Sequence, residues 1–363
     1  MKLKMKKINI KTIVLHMLVG ANIVAILLLF FLCGTTWLSP SSWPHMSVMG
    51  LGFPFAVLLN FMFLGFWLIF YIRYALVPVF GFLVCFSFLR DYCPINRREL
   101  PPDGSLKLLT YNVAGFGLER TADADENDIV RYVQNSEAHI ICLQEAYPGK
   151  IRNALDRVMK DKGYFVLPSV KGHDMEHTYS KFPVLKSERV PIISETNGAM
   201  AYWIKVEEDT VCLINCHLES NHLTAEDKDV YHGMLDSLNR DRVESGGKML
   251  IRKLAKASAL RGPQVDEIRR FYQEYANSVI VCGDFNDSPI SYTCRTFSKD
   301  LNSAFVQSGN GPGISFNQRG FWFRIDHIFY SDDWETYASQ VDKTIDASDH
   351  YPLFTYLRKS KTP

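Results

Sequence analysis

The sequence predicts an α/β (α+β) domain of packed sheets with helices outside, preceded by an N-terminal transmembrane helical region. Two observations predict this arrangement. Up to residue 89 the chain contains long apolar segments without charged side chains, whereas from residue 106 onward short apolar runs alternate with amphipathic stretches. In that second part strand-like runs outnumber helical ones, which favours packed sheets over a simple doubly wound sheet.

The N-terminal region holds three uncharged apolar segments. Residues 13–33 and 47–72 carry no Asp, Glu, Lys or Arg, and both exceed the roughly 20 helical residues that cross a bilayer. The third segment, 74–89, has only 16 residues and crosses if Arg73 snorkels to the interface. A cleaved signal peptide is disfavoured, because the first segment is too long and no Ala-x-Ala site follows it. We therefore expect residues 1–93 to form two or three transmembrane helices, with the lipid bilayer as a partner.

The charges around these segments predict how this integral membrane protein is oriented. Five lysines lie at or before residue 11, and the loop 34–46 has no Lys or Arg, which places the N-terminus in the cytoplasm. Three spans put the rest of the chain outside the cytoplasm, whereas two spans keep it inside. Arg90, Arg97 and Arg98 weakly favour the second alternative. The three-span topology, with an extracytoplasmic domain, is the preferred prediction.

The chain after the membrane region begins with a linker and is slightly acidic. Residues 94–105 are predicted to form the linker, since they include Pro101-Pro102-Asp103-Gly104, and the domain spans 106–358. Residues 101–363 carry 31 basic and 37 acidic side chains. A protein that grips a long nucleic acid usually displays a basic surface, so this balance disfavours an extended nucleic-acid interface. No protein partner can be inferred.

Seven strands and three helices are predicted within the domain, from apolar runs bounded by turn residues and from helical periodicity. The strands are 106–113, 139–143, 200–206, 211–217, 278–282, 324–330 and 353–357. The helices are 128–135, 148–160 and 248–275, the last in more than one piece. Residues 221–239 could form a further helix.

Polar residues stand at several of these strand ends. The apolar run 279–282 breaks at Gly283 and leads to Asp284 and Asn286, which share one face in strand geometry. Other ends lead to Asn112, Glu145, His217, Asp326, Asp349 and His350. One such end could be an ordinary turn. Together they indicate a single site, because open α/β sheets place their chemistry at strand ends.

These residue types suit metal-assisted attack of water on phosphorus. Mg²⁺ prefers oxygen ligands and keeps several waters, so one or two carboxylates and an amide suffice to hold it. A histidine beside a buried carboxylate has its tautomer fixed and its protonated form stabilised. The metal and cationic groups then stabilise charge on the phosphoryl oxygens.

Six ordered motifs resemble those of the endonuclease/exonuclease/phosphatase family. They are Thr110-Tyr111-Asn112-Val113, Leu143-Gln144-Glu145, Cys216-His217-Leu218, Gly283-Asp284-Phe285-Asn286, Arg324-Ile325-Asp326 and Ser348-Asp349-His350-Tyr351-Pro352. The family includes deoxyribonucleases, apurinic endonucleases, neutral sphingomyelinases and inositol polyphosphate 5-phosphatases. The resemblance implies a four-layer α/β/β/α sandwich with two packed mixed sheets and a site at one end.

The resemblance also implies a metal site. Glu145 would be the principal ligand of Mg²⁺, with Mn²⁺ as an alternative cation. Asn112 and Asp349 would complete the metal side.

The remaining site residues would act on water and phosphate. By the same resemblance, Asp284 would orient or deprotonate the attacking water, and Asn286 would hydrogen-bond a phosphoryl oxygen. His350, held by Asp326, would be the second acid/base or phosphate-binding group, and His217 matches the other histidine of the deoxyribonuclease and sphingomyelinase branches. Which group is the base and which the acid stays open, because coupled groups titrate together.

Three other polar residues are placed outside the predicted site. Arg261 and Gln264, near the start of the helix before 279, could reach the site, but a solvated helix face is the preferred interpretation. His327 points to the opposite side of its strand from Asp326.

These observations predict a membrane-anchored, divalent-metal-dependent phosphoester hydrolase, either a phosphodiesterase or a phosphatase. The expected substrate is a phosphoester: a lipid headgroup, a phosphorylated metabolite or a nucleic acid. The alternative is a membrane-anchored nuclease that acts on DNA or RNA. An abasic-site repair role is disfavoured, because His217-Leu218-Glu219 stands where apurinic endonucleases have Tyr-x-Pro-Asn. A catalytically inactive membrane scaffold is also disfavoured, because all the candidate residues are of competent type.

Overall fold

The structure is a computed structural model of the 363-residue chain. It describes residues 10–117, 124, 126–168, 175–194, 197–236, 240–318 and 321–360. Residues 1–9 of the predicted membrane region lie outside this part of the chain, as do residues 237–239 of the predicted helix 221–239.

The described N-terminal region folds into α-helices joined by short turns. They are α1 (Ile10–Gly34), α2 (Pro44–Met49), α3 (Phe53–Phe70), α4 (Leu76–Val84) and α5 (Phe86–Tyr92). The helical segments that contain α1 and α3 are each long and apolar enough to cross a membrane. The segment with α4 and the helix α5 meet at 67° and could together make a third span. Two or three candidate spans are therefore present, as predicted.

Buried hydrogen bonds hold α1 against α3. The indole Nε1 of Trp67 donates to Asn22 Oδ1 at 2.9 Å, and Asn60 Nδ2 donates to the carbonyl oxygen of Ala25 at 3.1 Å. Polar groups inside an apolar environment must find partners within the protein. These two contacts therefore set how the two helices pack.

The second part of the chain, here called the sandwich domain, contains the strands and six further helices. The strands are β1 (Leu106–Asn112), β2 (Ile140–Gln144), β3 (Phe165–Val166), β4 (His177–Ser180), β5 (Val184–Arg189), β6 (Gly198–Val206), β7 (Asp209–His217), β8 (Val279–Asp284), β9 (Asn302–Ser303), β10 (Phe316–Gln318), β11 (Phe321–Phe323), β12 (Asp326–Tyr330), β13 (Trp334–Val341) and β14 (Leu353–Lys359). The helices are α6 (Asp128–Asn135), α7 (Lys150–Asp161), α8 (Ala225–Asp236), α9 (Arg240–Tyr275), α10 (Tyr292–Phe297) and α11 (Ala304–Ser308).

Most of these strands form two six-stranded mixed sheets. The first has the order β13-β14-β1-β2-β4-β3, and the second has the order β5-β6-β7-β8-β12-β9. The pairs β1–β2 and β7–β8 are parallel, and the other pairs are antiparallel. Strands β10 and β11 form a separate hairpin.

Alternation of side chains along the strands builds four layers. Leu108 of β1 packs in the core between the sheets, whereas Leu109 packs against α6 and α7. In β8, Ile280 packs in the core between the sheets, and Val281 packs against α9 and α10. Because neighbouring strand residues point to opposite faces, each sheet has apolar contacts on both sides. The predicted four-layer sandwich is confirmed.

The structure corrects the element prediction at α9 and at several strands. Besides β5 and β13, the short strands β3, β4, β9, β10 and β11 were not predicted. Helix α9 is continuous from Arg240 to Tyr275 with Pro263 inside it, so its division into pieces was wrong. Ala257 and Val265, on either side of the proline, are buried, and this packing offsets the hydrogen bond that proline cannot donate. The strands β5 and β13 were missed because they are edge strands whose mixed polar sequences lack a clear apolar alternation.

The N-terminal helices pack directly on the sandwich domain. Ser47 Oγ of α2 donates to Ser258 Oγ of α9 at 2.7 Å, and a Cβ at Gly50 would lie 2.5 Å from the carbonyl oxygen of Ile290. In the predicted linker 94–105, Asn96 Nδ2 donates to the carbonyl oxygen of Gly309 at 2.6 Å. The boundaries 1–93, 94–105 and 106–358 stay predictions.

Gly283 in β8 sits where no other residue fits. Its φ is +141°, and a Cβ would lie 1.8 Å from the carbonyl oxygen of Cys216 in β7. We expect Gly283→Ala to lower the free energy of unfolding by about 3 kcal/mol or more, since only separation of the two strands relieves the clash. Thermal unfolding of the full chain measures this. Gly149→Ala is the control, since a Cβ there meets open space, and equal melting of the two variants would contradict the prediction.

Candidate active site

The polar residues predicted at strand ends meet at one edge of the sandwich. Asn112 ends β1 opposite Gln144 of β2, and Glu145 follows β2 directly. In the other sheet, His217 ends β7 opposite Asp284 of β8. Both pairs belong to parallel ladders, so their carboxyl ends lie side by side.

Three site residues reach the same edge from the beginning of a strand. Asp326 is the first residue of β12 and pairs with Asp284, while Asp349 and His350 precede β14. Their interpretation as strand exits was therefore wrong. β12 is antiparallel to β8, and β14 is antiparallel to β1, so strand beginnings and strand ends share one edge.

Asp284 lies at the centre of the site and is only 1% exposed. Its Oδ2 accepts a hydrogen bond from Asn112 Nδ2 at 2.9 Å, and its Oδ1 accepts one from the backbone N–H of Asn286 at 2.8 Å. The Nε2 atoms of His217 and His350 lie 3.5 and 3.6 Å from Oδ2. A buried carboxylate needs such partners in place of water. Asp284 is thus the group around which the others are arranged.

His350 is oriented by Asp326. Its Nδ1 lies 2.8 Å from Asp326 Oδ2, both residues are buried, and the Phe316 ring packs edge-on at 5.1 Å. Burial opposes the charged form, but the carboxylates of Asp326 and Asp284 outweigh it and raise the pKa of His350 to about 10. His350 therefore carries a proton on each ring nitrogen, and its Nε2 points toward Asp284.

Glu145 stands at the more open side of the site. Its side chain is 29% exposed, and its Oε1 accepts a hydrogen bond from Asn112 Nδ2 at 3.0 Å. The amide oxygen of Asn112 is turned to the backbone N–H of Ala114, 3.1 Å away. Glu145 has a φ of +53°, a left-handed conformation that is costly for a non-glycine residue and that turns the chain sharply after β2.

Asn286, His217 and Asp349 complete the predicted set. Asn286 also has a left-handed φ, +51°, and its Nδ2 donates to the carbonyl oxygen of Leu218 at 3.1 Å. His217 is buried, with Nε2 3.4 Å from Ser220 Oγ and 3.8 Å from Glu145 Oε1. Asp349 is half-buried and lines the same cavity as Glu145, Asp284, Asn286 and His350.

The donor set at this edge fits a hard divalent cation. Glu145 and Asp349 offer carboxylate oxygens on the cavity, which are the ligands that Mg²⁺ and Mn²⁺ prefer. A second group, Asp284, Asp326 and His350, has ligand atoms within 4.8 Å of one another, and Asp326 Oδ1 has no hydrogen-bond partner among the described residues. In this second group Asp326 Oδ2 is already paired with His350 Nδ1, whereas Glu145 and Asp349 are only partly buried.

Ser348 was not singled out from the sequence, yet it joins two site residues. Its Oγ donates to the carbonyl oxygen of Asn112 at 2.8 Å and accepts from the backbone N–H of His350 at 3.2 Å. The hydroxyl thereby links the end of β1 to the segment before β14. Ser348 directly precedes the predicted site residues Asp349 and His350, and this adjacency could have identified it from the sequence.

The assignment of Arg261 and Gln264 to a solvated helix face was wrong. Arg261 is 4% and Gln264 1% exposed. Arg261 Nη1 donates to the carbonyl oxygen of Glu219 at 2.8 Å and to Asn221 Oδ1 at 2.9 Å, and Gln264 Oε1 accepts from the N–H of Glu219 at 2.9 Å. Both side chains hold the loop that follows His217. Residues three apart share one face of α9, but only the folded chain places that face against this loop.

His327 lies away from the site. Its Nε2 is 3.0 Å from the carbonyl oxygen of Asp287, and its ring packs on Phe285 at 5.2 Å. Burial lowers the pKa of His327 to about 3, so this histidine is neutral. It belongs to the packing between sheet and helices.

Comparisons with known proteins agree with this geometry. The sequence matches the Endonuclease/Exonuclease/phosphatase family over residues 109–350, and residues 15–92 match a family described only as a domain of unknown function. No curated protein matches the sequence significantly.

Several solved structures are similar to this chain. TDP2 from D. rerio, complexed with a single-strand DNA product, has a TM-score of 0.51 at 15% identity, over 71% of this chain and 100% of that one. The human nocturnin catalytic domain with bound sulfate has a TM-score of 0.47 at 17% identity, over 72% and 97%. An endonuclease/exonuclease/phosphatase from Beutenbergia cavernae DSM 12333 has a TM-score of 0.47 at 16% identity, over 72% of each chain. With the family match covering most of its length, this chain belongs to the endonuclease/exonuclease/phosphatase family.

Proposed function

We propose that this chain is a membrane-anchored hydrolase of phosphoester bonds that depends on a divalent metal ion. Members of its family are phosphoester hydrolases and are generally metal-dependent. The observation that carries the proposal is the buried Asp284 carboxylate, which lies within 3.6 Å of two histidines and hydrogen-bonds Asn112 beside Glu145. Such a group of acid, base and oxygen ligands suits attack of water on phosphorus.

Glu145 and Asp349 would hold the metal, Mg²⁺ or Mn²⁺. Asn112 would position Glu145, because its amide nitrogen donates to that carboxylate while its amide oxygen accepts from Ala114. When bound, such a cation supplies positive charge that stabilises the phosphoryl oxygens and the leaving oxygen. The exposed side chain of Glu145 faces the cavity, where substrate and water enter.

The chain's own residues would orient water and move protons. Asp284 accepts the proton of the water whose oxygen attacks phosphorus. The protonated His350 and the amide of Asn286 donate hydrogen bonds to the phosphoryl oxygens, and Asp326 keeps the His350 ring in place. The P–O ester bond breaks as the new P–O bond forms, and His217 or His350 supplies the proton that the leaving alkoxide takes up.

We further propose three membrane crossings, formed by α1, α3 and the α4–α5 pair. The α1–α3 connection contacts the sandwich domain through Ser47, and the chain after α5 contacts it through Asn96. The α1–α3 connection and the chain after α5 therefore lie on the same side of the membrane. Since α3 leaves that side, the α4–α5 pair must return to it. With a cytoplasmic N-terminus, the sandwich domain is extracytoplasmic.

Removal of the metal ligand or the water-orienting carboxylate should abolish turnover. We expect Glu145→Gln and Asp284→Asn each to lower kcat by about 1000-fold or more, because each loses charge at the reacting centre. Asp332→Asn, at an exposed turn after β12, is the matched control and should stay within about twofold.

The assay uses the full chain in nanodiscs with Mg²⁺, Mn²⁺ or EDTA, and with a panel of phosphomonoesters, phosphodiesters, phospholipid, DNA and RNA. Wild-type rates in Glu145→Gln and Asp284→Asn would refute the site assignment. DNA and RNA are included because the family also contains nucleases, and cutting of nucleic acid alone would favour the nuclease alternative.

Loss of the Asp326 carboxylate should act through His350. We expect Asp326→Asn to lower kcat by about 100-fold with little change in KM, because the imidazole loses its fixed orientation while substrate contacts remain. Steady-state kinetics separate the two parameters. An unchanged kcat would show that Asp326 does not position His350.

The topology predicts opposite results for reporters at the two ends. Alkaline phosphatase fused after residue 363 should be active in bacterial cells, because it folds only outside the cytoplasm. Green fluorescent protein fused before residue 1 should fluoresce, because it matures in the cytoplasm. An inactive phosphatase at the C-terminus would contradict three spans.

A further inference from the structure

A cavity of about 870 Å³ extends from the catalytic residues to the N-terminal helices. One end is lined by Glu145, Asp284 and His350. The other end is lined by apolar side chains of α1, α3 and α9, among them Leu28, Phe55 and Leu254. The volume lies near the upper end of the range for small-molecule sites, so there is room for much more than a phosphate group.

The apolar end opens where the proposed spans lie. Phe55 is 73% and Leu28 41% exposed, and both belong to helices apolar enough to cross a membrane. A bilayer would cover these side chains, so the cavity would communicate sideways with the hydrocarbon region. Nucleic acid gains nothing from such a wall and would lose water from its charged backbone there. A hydrocarbon chain gains free energy from every methylene that it buries.

The cavity lining also includes a buried cation. Arg261 lines the cavity, and its Nε has no hydrogen-bond partner among the described residues, although Asp287 Oδ2 is 3.8 Å away. Its Nη1 is held by the Glu219 carbonyl and Asn221. A guanidinium that lines the same cavity as Asp284 brings positive charge that suits the oxygens of an esterified phosphate.

The apolar wall is held against the sandwich domain by close contacts. The bond from Ser47 to Ser258 joins α2 to α9, and a Cβ at Gly262 would lie 3.1 Å from the Pro40 ring. Gly50 approaches the backbone of Ile290 closely enough that no side chain fits there. The cavity is therefore shaped jointly by both parts of the chain.

From these contacts we propose that the cavity binds a lipid phosphoester, with its hydrocarbon chain between α3 and α9 and its phosphorus beside Asp284 and His350. The proposal rests on the proposed function and names its substrate class. Water adds to phosphorus, the P–O ester bond breaks, and the alcohol leaves with a proton. The N-terminal helices would then contribute to the substrate site as well as to anchoring.

The first test compares two substrates with the same reacting group. Methyl p-nitrophenyl phosphate and dodecyl p-nitrophenyl phosphate both release p-nitrophenol, and they differ only in chain length. With the full chain in nanodiscs, we expect kcat/KM to be about 100-fold higher for the dodecyl ester, since burial of even a few methylenes gives that factor.

Blocking variants show whether the cavity causes this preference. Leu254→Trp fills the cavity from α9, and Met49→Trp fills it from the opposite wall. Each should lower the dodecyl-to-methyl ratio by about tenfold or more. Leu260→Trp is the matched control: Leu260 lies on α9, is exposed and does not line the cavity, so the ratio should stay within about twofold. Each ester partitions into the bilayer to the same extent for every variant, so partitioning does not affect the change in the dodecyl-to-methyl ratio from one variant to another.

A binding measurement keeps the inference independent of turnover. Dodecylphosphonate with a diazirine at its tail should label residues 45–59 and 247–254 of the full chain, and unlabelled dodecylphosphonate should compete where methylphosphonate does not. Labelling with no hydrolysis of either ester would support the lipid site and overturn the proposed reaction. Equal hydrolysis of both esters in every variant, with no competed label in these residues, would overturn the lipid site and leave the proposed function intact.

Discussion

The hydrogen bond from Asn112 to Asp284 joins the two sheets at the edge that carries the candidate site. Asn112 ends β1 of the first sheet, and Asp284 ends β8 of the second, with 2.9 Å between Nδ2 and Oδ2. A buried carboxylate is costly unless hydrogen-bond donors replace its water. The burial of Asp284 therefore depends on the packing of the two sheets, which brings Asn112 within reach. The contact from His350, before β14, to Asp326 on β12 crosses between the same two sheets at 2.8 Å. The candidate site is therefore located at the junction of the sheets and needs both of them.

This location explains why strand beginnings and strand ends contribute together. Parallel pairing of β7 with β8 brings His217 beside Asp284, and antiparallel pairing of β8 with β12 adds Asp326. If all strands of this sheet were parallel, the beginning of β12 with Asp326 would lie at the opposite edge from the ends of β7 and β8. Gly283 allows β8 to approach β7 closely just before Asp284, because any side chain there would meet the backbone of Cys216. The position of the central carboxylate thus depends on backbone contacts as much as on side chains.

The N-terminal helices pack against the sandwich domain. Trp67 and Asn60 hold α3 against α1, and Ser47 connects α2 to α9. The cavity at the candidate site is also lined by side chains of these helices. In the proposed enzyme, the anchor therefore serves two purposes, since it keeps the site at the bilayer surface and forms the apolar wall next to it. Arg261, which the sequence assigns to solvent, is buried between these two regions.

Local sequence determined the elements that carry a strong periodic pattern. The strands around Leu108 and Ile280, helix α6 and the apolar N-terminal segments all follow from spacing and composition, and ordered motifs located the polar residues of the site. Edge strands such as β13, the continuity of α9 through Pro263, and the burial of Arg261 depend on what packs against them, which residues far apart in the chain decide. Residue types at the strand ends, together with six ordered motifs that resemble a known family, made a metal-dependent hydrolase the preferred prediction. Only the tertiary structure decided that Asn112 and Asp284 bond across two sheets and that α9 closes one cavity with α1 and α3, because each of these contacts joins segments more than 150 residues apart.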